Sequence, residues 1–104
     1  MHLDLGVITS VAPLLYGDDW QRPLARGLGP HHPDGARESI DARLVRRWVA
    51  KERLVPMWVG SALVTLLEEE AQRHDAQAQA CRARAERLRL ALAPVSEEED
   101  DLRP

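Results

Sequence analysis

Residues 61–93 form the longest stretch of this sequence without glycine or proline, and they constrain the fold most strongly. Apolar and small side chains recur there at spacings of three and four, which predicts a long helix over 57–93 with one continuous seam. Such a helix is too long to be covered by the short segment before it, so we expect it to pair with a second copy, parallel or antiparallel. The expected dimer contacts are Leu67, Ala71, His74, Ala78, Cys81, Ala85 and Leu88.

Three shorter helices are predicted in the first half of the chain. The spacing of the aliphatic residues predicts a first helix over about 6–16, with Gly17 at its end and an aspartate after it as the next N-cap. A second helix is predicted over 20–28. The side chains expected to be buried in it are Trp20, Leu24 and Leu28. Residues 29–39 contain two glycines, two prolines and two histidines, and they are predicted to form a loop.

A third helix is predicted over 41–53, and its two faces differ in chemistry. Asp41 is the expected N-cap, and Pro56 ends the helical pattern because the residue before a proline avoids the helical region. Val45 and Trp48 fall on the face that we expect to be buried. The opposite face and its flank carry Arg43, Arg46 and Arg47.

Charge is distributed unevenly along the chain, although the net charge is only −3. Residues 22–53 carry eight basic and four acidic side chains, which gives +4. Residues 94–104 carry five acidic side chains and one arginine, which gives −4. Where the charges lie matters more for binding a partner than the net charge does. The positively charged block 22–53 is therefore the candidate surface for an anionic partner.

The second and third helices together fit the requirements of a helix-turn-helix DNA reader, in which the second helix of the pair enters the major groove. The planar guanidinium of arginine matches the O6 and N7 acceptors of guanine. We therefore expect base contacts from Arg43, Arg46 and Arg47. The side chains expected to contact phosphates are Gln21, Arg22, Arg26, Lys51 and Arg53. The alternative is that the arginines are only the solvated face of an amphipathic helix.

Several short motifs carry a resemblance to a known group of proteins. They are Leu15-Tyr16-Gly17 with Trp20-Gln21, Leu24-Ala25 with Leu28-Gly29, and Val45-Arg46-Arg47-Trp48-Val49-Ala50 followed by Glu52-Arg53 and Val55-Pro56. The sequence, over roughly residues 8–70, resembles short helix-turn-helix proteins of proteobacterial genomes and prophages, loosely related to phage Cro and repressor domains. This resemblance implies sequence-specific DNA binding by a repressor or autoregulator, with the three arginines on the recognition helix.

The sequence departs from that group at two places. The group has a short turn between the two helices, whereas this chain has about ten additional residues within 29–40. The group also has a glycine before the Glu-Arg pair, where this chain has Lys51. Either the third helix continues toward Leu54, or Lys51 adopts a left-handed backbone conformation at a modest energetic cost.

Other kinds of site find little support in the sequence. His31, His32 and Asp34 lack the spacing that holds metal ligands on one helix face, so no metal site is predicted. The sequence contains no nucleophile with a base and no glycine-rich phosphate loop, so we expect neither an enzyme nor a cofactor. The single cysteine, Cys81, excludes an internal disulfide. No apolar run approaches the roughly 20 residues that span a membrane, so we expect a cytoplasmic protein.

The sequence therefore predicts an all-α protein with three segments. These are a helix-turn-helix domain of about four helices over 1–67, a long dimerisation helix over 57–93 and an acidic, disordered tail over 94–104. The expected function is transcriptional regulation by a homodimer that binds double-stranded DNA. The alternative is a protein-interaction or inhibitor module of a mobile element that binds a protein partner through helix 57–93.

Overall fold

Helices make up most of the chain, as the sequence predicted. The structure is a computed structural model that describes the backbone of residues 1–102 and the side chains of residues 1–92. Its elements, in chain order, are β1 (His2–Leu3), α1 (Leu5–Tyr16), α2 (Gln21–Leu28), a 3-10 helix (Gly29–His31), α3 (Ala42–Val49), β2 (Val55–Pro56) and α4 (Trp58–Leu102). The fold is all-α apart from the two short strands.

The chain divides into two compact units, Met1–Glu70 and Ala71–Pro104. The first unit holds one hydrophobic core, to which α1, α2, α3 and the beginning of α4 all contribute. The buried residues of this core are Ile8, Ala12, Leu24, Ala25, Leu28, Ile40, Val45, Trp48, Val55, Val59, Ala62 and Leu63. Full burial of a large aliphatic or aromatic side chain contributes roughly 1.5–3 kcal/mol, so this core fixes how the short helices pack.

Aspartate side chains cap two of the short helices. The Asp4 carboxylate accepts a hydrogen bond from the Gly6 N–H at the start of α1 (3.3 Å). Asp41 caps α3 in the same way, as the sequence predicted. The end of α1 was also predicted correctly, because Gly17 adopts a positive φ of 81° and its N–H donates to the Pro13 carbonyl. Each cap satisfies a backbone group that the helix itself leaves without a partner.

The expected aspartate cap of α2 is wrong. The N-cap position falls on Trp20, which makes no side-chain hydrogen bond to the helix. The indole of Trp20 is half-buried and packs against the core instead. The two aspartates before it lie on the exposed surface.

Helix α3 is shorter than predicted, since it ends at Val49 rather than at Arg53. Of the two alternatives for Lys51, the structure has the strained one, with a φ of 64°. The left-handed backbone at Lys51 ends the helix, and the chain continues into β2. Strand β2 pairs antiparallel with β1, with Leu3 opposite Val55. Val55 is buried, so burial at this ribbon offsets the cost of a left-handed lysine. Neither strand was predicted from the sequence.

The segment between α2 and α3 folds back on the end of α2. The Arg37 N–H donates to the Gly29 carbonyl (3.0 Å), and the Ile40 N–H donates to the Ala25 carbonyl (3.0 Å). Ile40 is buried in the core. A Cβ on Gly29 would lie 2.6 Å from the Arg37 carbonyl oxygen and 2.6 Å from the Ser39 nitrogen, so only glycine fits here. The predicted loop is therefore anchored at both ends.

Helix α4 begins at Trp58, close to its predicted start, and continues to Leu102. Its predicted end at Pro94 is therefore wrong. A proline removes one helical hydrogen bond but does not by itself end a helix, and Pro13 likewise lies inside α1. The expectation of an acidic, disordered tail over 94–104 concerns residues whose side chains lie outside the described part of the chain.

Candidate nucleic-acid interface

The two faces of α3 differ as the sequence analysis expected. Val45 and Trp48 are buried, with exposed fractions of 0% and 1%. Arg46 and Arg47, which lie between them in the sequence, are exposed. The Asp41 cap fixes the first turn, and the buried indole fixes the rotation of the helix about its axis. Arg46 and Arg47 are thus directed outward by the burial of their neighbours in the core.

Helices α2 and α3 pack directly against each other, and exposed depressions are lined by residues of both. Arg22 and Arg46 line the same cleft between the two helices, together with Ala42. A neighbouring groove adds Arg26 on the side of α2. A third groove lies along α3 itself and adds the remaining two arginines. We call this surface the arginine face, defined by Arg22, Arg26, Arg43, Arg46 and Arg47.

One member of the arginine face, Arg43, is bound by the carboxylate that caps its own helix. Its Nη2 donates to Asp41 Oδ2 (3.0 Å), and its Nε lies 3.2 and 3.3 Å from the two carboxylate oxygens. The Arg43 backbone N–H also donates to Asp41 Oδ1 (2.9 Å). The side-chain hydrogen bonds from Arg43 lower the pKa of Asp41, and the backbone bond and the charge of Arg47 add to this effect. The same pairing raises the pKa of the Arg43 guanidinium.

The other arginines of this surface lack such a bond. Within the described part of the chain, no hydrogen bond or ion pair holds the side chain of Arg46 or Arg47. Acidic side chains nevertheless border the surface. Asp18 and Asp19 line the cleft beside Arg22, and Glu52 lines the groove along α3. The field of this face is therefore positive at its centre and partly compensated at its edges.

The predicted phosphate contacts separate into two groups. Gln21 begins α2 and lines the cleft together with Arg22, so it belongs to the arginine face. Lys51 and Arg53 instead line a different depression, next to the β1–β2 ribbon. The reason is the early end of α3, after which the chain turns toward β2. Arg43, Arg46, Arg47, Gln21, Arg22 and Arg26 are thus brought together, and Lys51 and Arg53 are not.

The predicted dimer seam lies on α4 and is largely exposed. In the first unit, Leu67 is half-buried. In the second unit, Ala78 is half-buried, and the other predicted seam residues, including the free Cys81, are exposed. Leu88 and Leu92 are four residues apart on this seam and are 61% and 62% exposed. Large apolar side chains at this spacing form a stripe that a partner helix can cover.

One of the two loop histidines, His32, makes two contacts within the first unit. Nδ1 of His32 accepts a hydrogen bond from the Asp34 backbone N–H (3.1 Å). The same ring lies against Trp58, with centroids 5.3 Å apart, so His32 packs the loop onto the start of α4. Among the described residues, no cluster of histidine, cysteine and acidic side chains can hold a metal ion. No helix among the described residues is long and apolar enough to cross a membrane.

Comparison of the chain with protein-family models, curated proteins and solved structures finds no match. The function is therefore inferred from the arginine face itself. Every arginine of this face was identified from the sequence, whereas the bond between Asp41 and Arg43 was not predicted. An aspartate at an N-cap with an arginine two positions later was the available signal, because the cap directs the carboxylate toward the first helical turn.

Proposed function

We propose that this protein is a sequence-specific DNA-binding transcriptional regulator, a repressor or autoregulator. In this proposal α2 and α3 form a helix-turn-helix, and α3 is the recognition helix. The observation that carries it is the arginine face, on which five arginines of two directly packed helices share one exposed surface. The resemblance of the Arg-Arg-Trp and Val-Pro motifs to small helix-turn-helix proteins supports the same function.

The dimensions of α3 suit the major groove. An α-helix with its side chains is about 10–12 Å in diameter, and the major groove of B-DNA is about 12 Å wide, so α3 can enter it. Arg43 and Arg47 lie one turn apart on the exposed side, so both can reach base edges from one docked helix. Arg46, next to the cleft with α2, can reach either a base or the adjacent phosphate.

In this proposal α2 positions the recognition helix on the DNA backbone. Gln21, Arg22 and Arg26 are placed to donate hydrogen bonds to phosphate oxygens. Lys51 and Arg53, in the depression beside the β-ribbon, would contact phosphates on the other side of the groove. The four cations among these residues are Arg22, Arg26, Lys51 and Arg53. If each neutralises one phosphate, the logarithm of the binding constant should fall against the logarithm of the salt concentration with a slope of roughly −3.6 per protomer.

A homodimer would join two such DNA-binding units through α4. One recognition helix makes few base contacts, whereas two linked helices read a palindrome with combined affinity. The support for this pairing is the exposed stripe of Leu88 and Leu92 and the small residues between it and the first unit. Small side chains let two helices approach closely.

A gel shift with the DNA upstream of the protein's own gene tests the proposal. Arg43→Ala with Arg47→Ala should weaken binding by at least tenfold, since each bidentate arginine–guanine pair contributes about 1–3 kcal/mol. The matched control is Arg82→Ala with Arg87→Ala, which removes the same charge from exposed positions on α4. If the first double variant binds as tightly as wild type, α3 is not the recognition helix.

The second candidate is a protein-interaction module of a mobile element that uses α4. The three leucines near the end of its described side chains, Leu88, Leu90 and Leu92, favour it because each is more than 60% exposed. The dependence of binding on salt concentration distinguishes the two functions. Specific DNA binding should weaken steeply as salt rises, whereas a hydrophobic helix–helix contact should hardly change.

A further inference from the structure

We infer that Asp41 is a positioning residue that fixes the Arg43 guanidinium for end-on recognition of one guanine. This inference rests on the proposed function and adds to it that the arginines of α3 differ in how strictly each selects its base. The observation behind it is that one carboxylate both caps the helix and binds the side chain of the arginine two positions later.

The number of N–H donors on Arg43 determines which edge of its guanidinium remains available to bind a base. A guanidinium has five N–H donors, one on Nε and two on each Nη. The Asp41 carboxylate occupies the edge formed by Nε and Nη2. The end formed by Nη1 and Nη2 keeps one outward N–H on each nitrogen. Those two parallel donors match the O6 and N7 acceptors of guanine, so the pairing leaves free the edge that reads this base.

Asp41 is itself held in place, and this distinguishes the pair from an ordinary surface ion pair. Its Oδ1 accepts the Arg43 backbone N–H at 2.9 Å, so the carboxylate is tied to the first turn of α3. The pair remains open to solvent, with side chains that are 72% and 54% exposed for Arg43 and Asp41. A DNA base can therefore approach without breaking it.

Arg46 and Arg47 have no such partner among the described residues. Each must lose its rotational freedom when it binds a base, at a cost of roughly 0.5–1.5 kcal/mol for one ordered side chain. Arg43 has already lost much of this freedom in the free protein. The guanine opposite Arg43 should therefore be the most strictly selected base in the half-site.

Selection from a pool of random duplexes with the full-length protein tests this inference. Wild type should enrich a half-site with one dominant guanine, and Arg43→Ala should lose that preference. Asp41→Asn keeps a capping side chain but removes the charge. It should reduce discrimination at the same guanine by roughly two- to twelvefold, the ordering cost expressed as a ratio, and leave other positions unchanged. Asp41→Ser provides a second capping variant, with a side chain too short to bind the guanidinium.

The matched control is Glu52→Gln, which removes the same charge from the groove that Arg43 lines without breaking a bond to Arg43. If Glu52→Gln reduces the selectivity for this guanine as strongly as Asp41→Asn does, the effect comes from net charge and the inference fails. The inference also fails if the Arg43 Nε–H resonance of the free protein is the same in Asp41→Asn as in wild type. That result would leave the proposed function standing. A wild type that enriches no sequence overturns both.

Discussion

Replacement of Gly29 by alanine should destabilise the first unit by about 2 kcal/mol, the middle of the range for overpacking a well-packed site. The backbone of Gly29 is helical, with φ −52° and ψ −51°, so alanine incurs no conformational penalty there. The penalty is steric, because the new Cβ would lie 2.6 Å from both the Arg37 carbonyl oxygen and the Ser39 nitrogen. Both atoms belong to the backbone, so the chain itself must shift to relieve contacts this short. Overpacking of this kind costs about 1–3 kcal/mol.

The shift also endangers two hydrogen bonds that anchor the connection. These are the bonds from Arg37 to Gly29 and from Ile40 to Ala25, both 3.0 Å long. Each contributes a net stabilisation of about 0.5–1.5 kcal/mol. For a unit of this size, a loss of about 2 kcal/mol corresponds to a fall in Tm of roughly 8–16 °C.

Thermal unfolding followed by tryptophan fluorescence measures this effect, because all three tryptophans lie in the first unit. The control is Gly60→Ala. Its Cβ would meet only methyl groups of the Leu3 side chain, the nearer at 3.3 Å, and these can move. Helix propensity favours that change by up to about 1 kcal/mol. The explanation of the anchored connection is refuted if Gly29→Ala is as stable as Gly60→Ala.

Three other features of the structure can be tested separately. Lys51→Gly should raise the stability by about 1 kcal/mol because it removes the positive-φ strain, whereas Lys51→Ala should give no such gain; urea unfolding distinguishes them. Arg22→Ala with Arg26→Ala should weaken binding to all DNA sequences and make the salt slope shallower by about 2, and an unchanged slope would remove α2 from the interface. The Asp41 carboxyl should titrate by NMR with a pKa below the usual value for an aspartate, and this pKa should return toward that value in Arg43→Ala. Because its pKa is lowered, the pair stabilises α3 at neutral pH and loses this effect only as the pH falls through that lowered value.

Local signals predicted the helices well. Periodic apolar residues and the Asp41 cap placed α1, α2, the start of α3 and the start of α4 close to where they lie. The outward direction of Arg46 and Arg47 followed from the burial of Trp48 on the opposite side. These features depend on residues three or four positions apart, so a single sequence carries the information.

Features that depend on distant contacts were missed. Helix α3 ends early because Val55 pairs with Leu3, a contact between residues far apart in sequence. The anchored connection likewise depends on a backbone approach to Gly29 that no local pattern encodes. The separation of Lys51 and Arg53 from the arginine face follows from that same early end.

NMR spectroscopy of the ¹⁵N-labelled protein, titrated with a selected duplex, tests the central claim most directly. If α3 is the recognition helix of a DNA-binding protein, the backbone amides of 41–50 and 21–26 should show the largest shift changes. Raising the salt concentration should reverse these changes as the protein dissociates. Shift changes confined to 71–92, or none on addition of DNA, would contradict the proposed function.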